Sequence, residues 1–157
     1  MNNFSFIFEI VPEDDKYSDS VSGKVRLTLE GTNHFKSLDD AGRKDFHENL
    51  RKELANAIPI NLNRITSSEN VETDSSVTPK RIFLSINIER DEIEQEISVN
   101  FAIKYLNELI KHKSITVIGS GESSKYLDQD YGYKPFRKNF VFILASRKEK
   151  SLKKTNE

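Results

Sequence analysis

Two apolar stripes of different period follow one another in this sequence, and together they constrain the fold more than any other feature. In Arg81–Ile88, the residues Ile82, Leu84, Ile86 and Ile88 alternate with Phe83, Ser85 and Asn87. A period of two places the four aliphatics on one face of a β-strand. After Ser98, the residues Val99, Ala102, Ile103, Leu106, Leu109 and Ile110 recur at spacings of three and four. That spacing is one face of a helix. Ser98 is a natural N-cap, and Lys111, His112 and Lys113 fall where cations suit the negative end of the helix dipole. A strand and a helix that are each apolar on one side must cover one another, so the chain is expected to be a layered α+β domain.

The other segments extend this pattern. Phe4, Phe6, Phe8 and Ile10 alternate with Ser5, Ile7 and Glu9 and predict a strand that Pro12 ends. Glu13–Ser22 is polar and acidic and reads as a loop. Val25, Leu27 and Leu29 alternate with charged residues and predict a strand over 24–30, broken at Gly31-Thr32-Asn33. Ser37 is the expected N-cap of a helix over Leu38–Ala57, whose stripe is Phe46, Leu50, Leu54, Ala57 and Ile58. Pro59 stops it. Ile60–Ile65 resumes extended structure, and Thr66–Lys80 is a hairpin-like connection or long loop. Ile115–Ile118 predicts a short strand that ends at Gly119-Ser120-Gly121, residues 122–139 are irregular, and Phe140–Ala145 is long enough for a buried strand. The expected fold is α+β, an antiparallel sheet of about five strands with two helices on one face. Its order is a ferredoxin-like βαββαβ with an extra N-terminal strand.

The 157 residues carry a net charge of −1, but the charge is uneven. Residues 134–157 contribute +6 and residues 1–133 contribute −7. The expected organisation is a single α+β domain over 1–133 and a basic C-terminal segment over 134–157. That segment would hold one more strand and then a tail. Arg137, Lys138, Arg147, Lys148, Lys150, Lys153 and Lys154 are its candidates for contact with an anionic surface.

Composition narrows the chemistry. The chain has no Cys, which removes thiol catalysis, disulfides, Fe–S clusters and cysteine zinc sites. No apolar run approaches the roughly 20 residues of a membrane span, and no signal-peptide pattern follows Met1. A cytoplasmic location is the default expectation, and the sequon Asn3-Phe4-Ser5 matters only in a secreted chain. His34, His47 and His112 are never three or four apart, so no helical metal pair is expected. Gly119–Ser124 matches neither a phosphate-binding loop nor a nucleophile elbow and reads as a simple turn. The acidic groups Glu13/Asp14/Asp15, Glu89–Glu96 and Asp128/Asp130 read as solvated loops, and Asp128-Gln129-Asp130 lacks calcium-loop spacing. The central strand offers one aromatic, Phe83, and the body is acidic, so nucleic acid is not an expected partner.

The segment Phe46–Ile60 followed by Arg64-Ile65 has the form F-x3-L-x3-LA-x-A-I leading into an R-I strand start. It resembles the helix-to-strand transition of SEA-like modules, and the resemblance covers roughly residues 24–118. Such modules recur in membrane-associated or extracellular proteins, including fungal ones, and most are not enzymes. The resemblance therefore implies a non-enzymatic module. Some SEA modules cleave themselves at a Gly-Ser step in a turn between the middle strands. The corresponding stretch here is Asp74-Ser75-Ser76-Val77-Thr78-Pro79, with no Gly before Ser, so an intact chain is expected. The sequence as a whole points to a non-catalytic interaction or structural module with a protein partner and no cofactor or metal. The alternative is a peripheral domain that contacts an anionic membrane through its basic segment.

Overall fold

The stripe Ile82, Leu84, Ile86 and Ile88 lies at the centre of the molecule, each residue at most 4 % exposed. It belongs to a strand, Arg81–Glu89, within a four-stranded antiparallel sheet. The computed structural model describes residues 20–93 and 95–136. The Phe4–Ile10 stripe, the Phe140–Ala145 run and the basic residues from Arg137 onward lie outside the described residues. In chain order the elements are β1 (Ser20–Arg26), α1 (Leu29–Ser37), α2 (Asp40–Ala57), β2 (Ile65–Asp74), β3 (Arg81–Glu89), α3 (Val99–Lys111) and β4 (Tyr133–Pro135). The sheet order is β2-β3-β1-β4, so the consecutive strands β2 and β3 form a hairpin while β1 and β4 complete the sheet on the other side.

The described residues therefore show an α+β fold with four strands and three helices, in place of five and two. α3 forms where expected, capped by Ser98, whose hydroxyl accepts from Phe101 N–H at 3.2 Å. α2 ends at Ala57 as expected, but its N-cap is Asp39, whose carboxylate accepts from Gly42 N–H at 2.8 Å. Ser37 instead ends α1.

Four readings are corrected. The stretch after Arg26 does not continue as a strand. Leu27 makes an isolated bridge to Leu127, and Leu29–Ser37 is the helix α1, with Gly31-Thr32-Asn33 inside it. Thr28 caps it by accepting from Gly31 N–H at 3.0 Å. Gly31 is required there, because a Cβ would come within 2.6 Å of the Tyr126 Cβ. Second, the polar stretch after Ile65 is the edge strand β2, with a register shift between Ser67 and Val71. Third, Ile115–Ile118 is no strand. It spans the end of one 3-10 turn (Lys113–Ile115) and the start of another (Val117–Ser120), with Ile115 85 % and Val117 63 % exposed and only Ile118 buried. Ser20–Ser22, expected as loop, opens β1.

One core joins these elements. Phe35 of α1, Phe46, Leu50 and Leu54 of α2, and Val99, Ala102, Leu106 and Ile110 of α3 pack with the stripe of β3 and with Val25. Each large side chain buried this way stabilises the fold by about 1.5–3 kcal/mol. Tyr133 closes the β4 edge. Its hydroxyl donates to Ile86 O at 3.1 Å, and burial pushes its phenol well above the ordinary value. Its ring lies against Gly23, where a Cβ would meet the Tyr133 ring at 2.5 Å. All three helices contribute to the core on one side of the sheet, and among the described residues no helix covers the other.

Candidate functional site

The uncovered sheet face follows from the same alternation that built the core. When Val25 and the β3 aliphatics face inward, Ser22, Lys24 and Arg26 of β1 and Arg81, Phe83, Ser85 and Asn87 of β3 face outward. The register sets Arg26 opposite Phe83, Phe83 opposite Glu72, Arg81 opposite Asp74, and Lys24 opposite Ser85 and Lys134. Cross-strand neighbours on one face stand within side-chain contact, so cations, carboxylates and rings are interleaved there.

At one end of this face is a buried ion network. Arg26 donates from Nη1 to Asp74 Oδ2 at 2.9 Å and from Nε to Asp128 Oδ2 at 2.9 Å. Arg81 pairs with the same Asp128 oxygen. Asp74 and Asp128 are 4 % and 3 % exposed. Asp74 Oδ1 also accepts from the Ser76 hydroxyl at 2.5 Å and the Ser76 N–H at 2.9 Å. The Ser76 and Arg26 bonds hold the Asp74 carboxyl at about 2, so it stays ionised. Burial alone would lower the Arg26 value, but its two carboxylate partners outweigh burial and raise it. Asp74 and Arg26 are thereby held in their charged forms near neutral pH, which suits this pair to positioning.

Beside the network the aromatics are capped by cations. Arg26 stacks 5.0 Å from the Tyr131 ring and Lys134 Nζ lies 4.2 Å from it. Phe83 and Tyr131 are 5.0 Å apart. Lys24 pairs with Glu72 and lies 5.3 Å from Phe83 and 5.2 Å from Phe136. Burial raises the Tyr131 phenol above its ordinary value.

The sequence singled out other residues, and the structure scatters them. His34 is on α1 and stacks 4.8 Å from Tyr126. His112 is the C-cap of α3, with Nε2 3.6 Å from Glu108. His47 is buried on α2, with Nδ1 2.8 Å from Ser67 Oγ and Nε2 without a partner. It lines a cleft of about 320 Å³ with Phe35, Arg43, Lys44 and Glu69. Burial lowers its pKa, against the opposing charge of Glu69. Among the described residues no group of three or more His, Asp or Glu could hold a metal.

Gly119–Ser124 is a built turn whose anion is part of the chain. The Glu53 carboxylate accepts from Glu122 N–H at 2.7 Å, Ser123 N–H at 3.2 Å and Ser124 N–H at 2.7 Å. Two acids of the stretch after β3, Asp91 and Glu96, are likewise used internally. Asp91 accepts from Gln95 and Glu96 amides at 2.7 Å, and these bonds, led by that from Glu96, lower its pKa. Glu96 accepts from Asn61 N–H at 2.9 Å and pairs with the buried Arg64 at 2.8 Å, and both bonds lower its pKa. Asp128, read from sequence as part of a solvated loop, is instead the centre of the ion network.

Of the basic C-terminal segment, Lys134 stands on the outer face over Tyr131, while Arg137, Lys138, Arg147, Lys148, Lys150, Lys153 and Lys154 lie outside the described residues. Among the described residues no helix is long and apolar enough to cross a membrane. No protein-family model matches the chain, and neither a curated protein nor a solved structure does.

Proposed function

We propose that this domain is a non-catalytic protein-interaction module of ferredoxin-like βαββαβ build, and that the outer sheet face is the surface its partner covers. The observation that carries the reading is the Arg26–Asp74–Asp128–Arg81 network beside Phe83 and Tyr131. Its charges are neutralised internally, which makes the face rigid without making it reactive. Half-buried aromatics next to fixed arginines are the residue types that dominate protein interfaces. The strand order β2-β3-β1-β4 supports the ferredoxin-like description. The SEA-like resemblance of residues 24–118 supports a non-enzymatic role.

The test is a photo-crosslinking residue at Ser85, which shares the outer face. The partner should be a protein. Phe83→Ala and Tyr131→Ala, each with an unchanged circular dichroism spectrum, should cut the crosslink by about tenfold or more, as interface anchors do. Unchanged crosslinking in both variants removes the reading.

The second reading, contact with an anionic surface, rests on one placement. The chain passes into its basic segment at Phe136, beside the outward Lys24 and Lys134. Co-sedimentation with phosphatidylserine vesicles should then require Arg147, Lys148, Lys150, Lys153 and Lys154 and should fall with added salt. Equal sedimentation after all five are changed to Gln rejects it.

A further inference from the structure

The cleft of about 320 Å³ that His47 lines is a gap in the core where α2 passes the edge strand β2. Val71 shows why it is open. It stands opposite Leu84 in the β2–β3 register, so both belong to the core side of the sheet. Leu84 is fully buried, whereas Val71 is 43 % exposed and lines the cleft with Phe35. We propose that this cleft binds a free α-amino acid with an apolar side chain.

The first support is a pair of orphaned polar atoms on one wall. His47 is 6 % exposed, its Nδ1 lies 2.8 Å from Ser67 Oγ, and its Nε2 has no partner. Arg43, one helical turn earlier on the same face of α2, has a buried Nε that also lacks a partner. Buried polar atoms are nearly always paired, so two orphans along one cleft point to an acceptor from outside the chain. Where the Ser67 hydroxyl donates to Nδ1, His47 Nε2–H is a donor, as Arg43 Nε–H is. Lys44 adds a cation beside them. A carboxylate matches this set of donors. Arg43 turns from its place over the Phe35 ring, 5.7 Å away, to meet it. Its side chain is restrained there by a bond of 3.4 Å from Nη2 to Lys36 O, long enough to be weak.

The second support is the opposite wall. β2 bulges between Ser67 and Val71, and a bulge re-aims side chains. Glu69, inside the bulge, lines the cleft, and its charge acts on His47. On α2, Glu48 is taken by Arg51 and Lys52, but Glu69 forms no ion pair among the described residues. Asp40, exposed at the rim, is the other anion of the cleft. A plain carboxylic acid would be repelled by these two groups, whereas an ammonium beside the ligand's carboxylate is attracted to them. Donors on one wall and a free carboxylate on the other thus fit a zwitterion.

The third support is size and lining. The volume is at the small end of the roughly 300–1,000 Å³ usual for ligand sites. Phe35 and Val71 supply apolar contact for one aliphatic or aromatic side chain.

The test is titration of the full-length protein with L-leucine and with L-phenylalanine near neutral pH, followed by nitrogen-15 NMR. At least one should shift the Lys44, His47, Glu69 and Val71 amides saturably. The deaminated acid and the decarboxylated amine of that amino acid should each bind about tenfold more weakly or worse, because each lacks one charge-assisted partner. Arg43→Gln and Glu69→Gln, each with an unchanged circular dichroism spectrum, should weaken binding by a similar factor. The proposal is overturned if neither amino acid gives a saturable shift up to about 10 mM, a concentration at which even a weak site fills. It is equally overturned if the deaminated acid binds as tightly as the amino acid, or if both variants bind as the unchanged chain does.

Discussion

Arg26 and Asp128 are 102 positions apart in sequence, yet the Arg26 Nε lies 2.9 Å from the Asp128 Oδ2. The pair ties a central strand to the loop that precedes β4, and Arg81 shares the same carboxylate oxygen. Both side chains of the pair are nearly buried, at 12 % and 4 % exposure. Removing the shared anion leaves two guanidinium groups without it, one of them desolvated. Asp128→Ala is expected to cost about 3 kcal/mol, at the low end for a broken buried pair because Arg81 is partly open to water. Urea unfolding measures it. Asp128→Asn, which keeps an acceptor, should cost less. A loss below about 1 kcal/mol for the Ala variant would show that the network is no stronger than a surface ion pair.

His47 gives the fold a pH dependence of definite sign. Its ring faces Ser67 of β2 and Phe35 of α1, with Glu69 as the nearest opposing charge and Arg43 and Lys44 on its own helix lining the same cleft. Burial lowers its pKa from the ordinary 6.5, so the unfolded chain binds the proton more tightly than the folded one. The stability tied to neutral His47 is fully present above the unfolded value and is lost as pH falls below it toward the folded value. Melting temperature should drop between about pH 7.5 and about pH 5.5, and His47→Gln should flatten that slope. An equal slope in both proteins would assign the dependence to other groups.

The β2–β3 turn is expected to leave the chain intact. Ser76 donates both its N–H and its hydroxyl to Asp74 Oδ1, and the residue before it is Ser75, not Gly. The Asp74 carboxyl, held at about 2 and paired with Arg26, is too weak a base to take the hydroxyl proton near neutral pH. Denaturing electrophoresis of purified protein should show one band. Two stable fragments divided near Ser75 or Ser76 would contradict this.

These relationships differ in how far they could be read from the sequence. β3 and α3 were legible because each buries one complete face, and only one period fits such a stripe. α1 was not, because Gly31 and Asn33 are poor helix formers. It exists through tertiary fit, with Gly31 against Tyr126 and Thr32 Oγ1 accepting from Ile82 N–H at 3.1 Å. β2 was hidden because an edge strand exposed on both sides for much of its length has no alternation to detect. Ile115 and Val117 misled because their β-branched side chains have strand propensity, while the structure leaves them in water. The ion network was invisible for a different reason. Arg26, Asp74, Arg81 and Asp128 are brought together by the sheet order, and no spacing rule spans such separations.

Glu53 tests whether a turn that reads as featureless in sequence is held from outside. Its carboxylate accepts three successive N–H groups, those of Glu122, Ser123 and Ser124, and so fastens the segment after Gly121 to α2. Ser123 and Ser124 are buried, at 2 % and 0 % exposure, so water does not readily replace the lost acceptor. Glu53→Ala should cost about 2 kcal/mol, near the penalty for leaving buried donors unpaired with Glu122 free to find solvent. Glu53→Gln retains one acceptor oxygen and should recover part of that loss. Amide exchange gives a local readout that a general loss of stability does not. The Ser123 and Ser124 amides should lose protection by a larger factor than those of β3. Uniform acceleration across both regions would show that Glu53 acts on the fold as a whole and not on the turn.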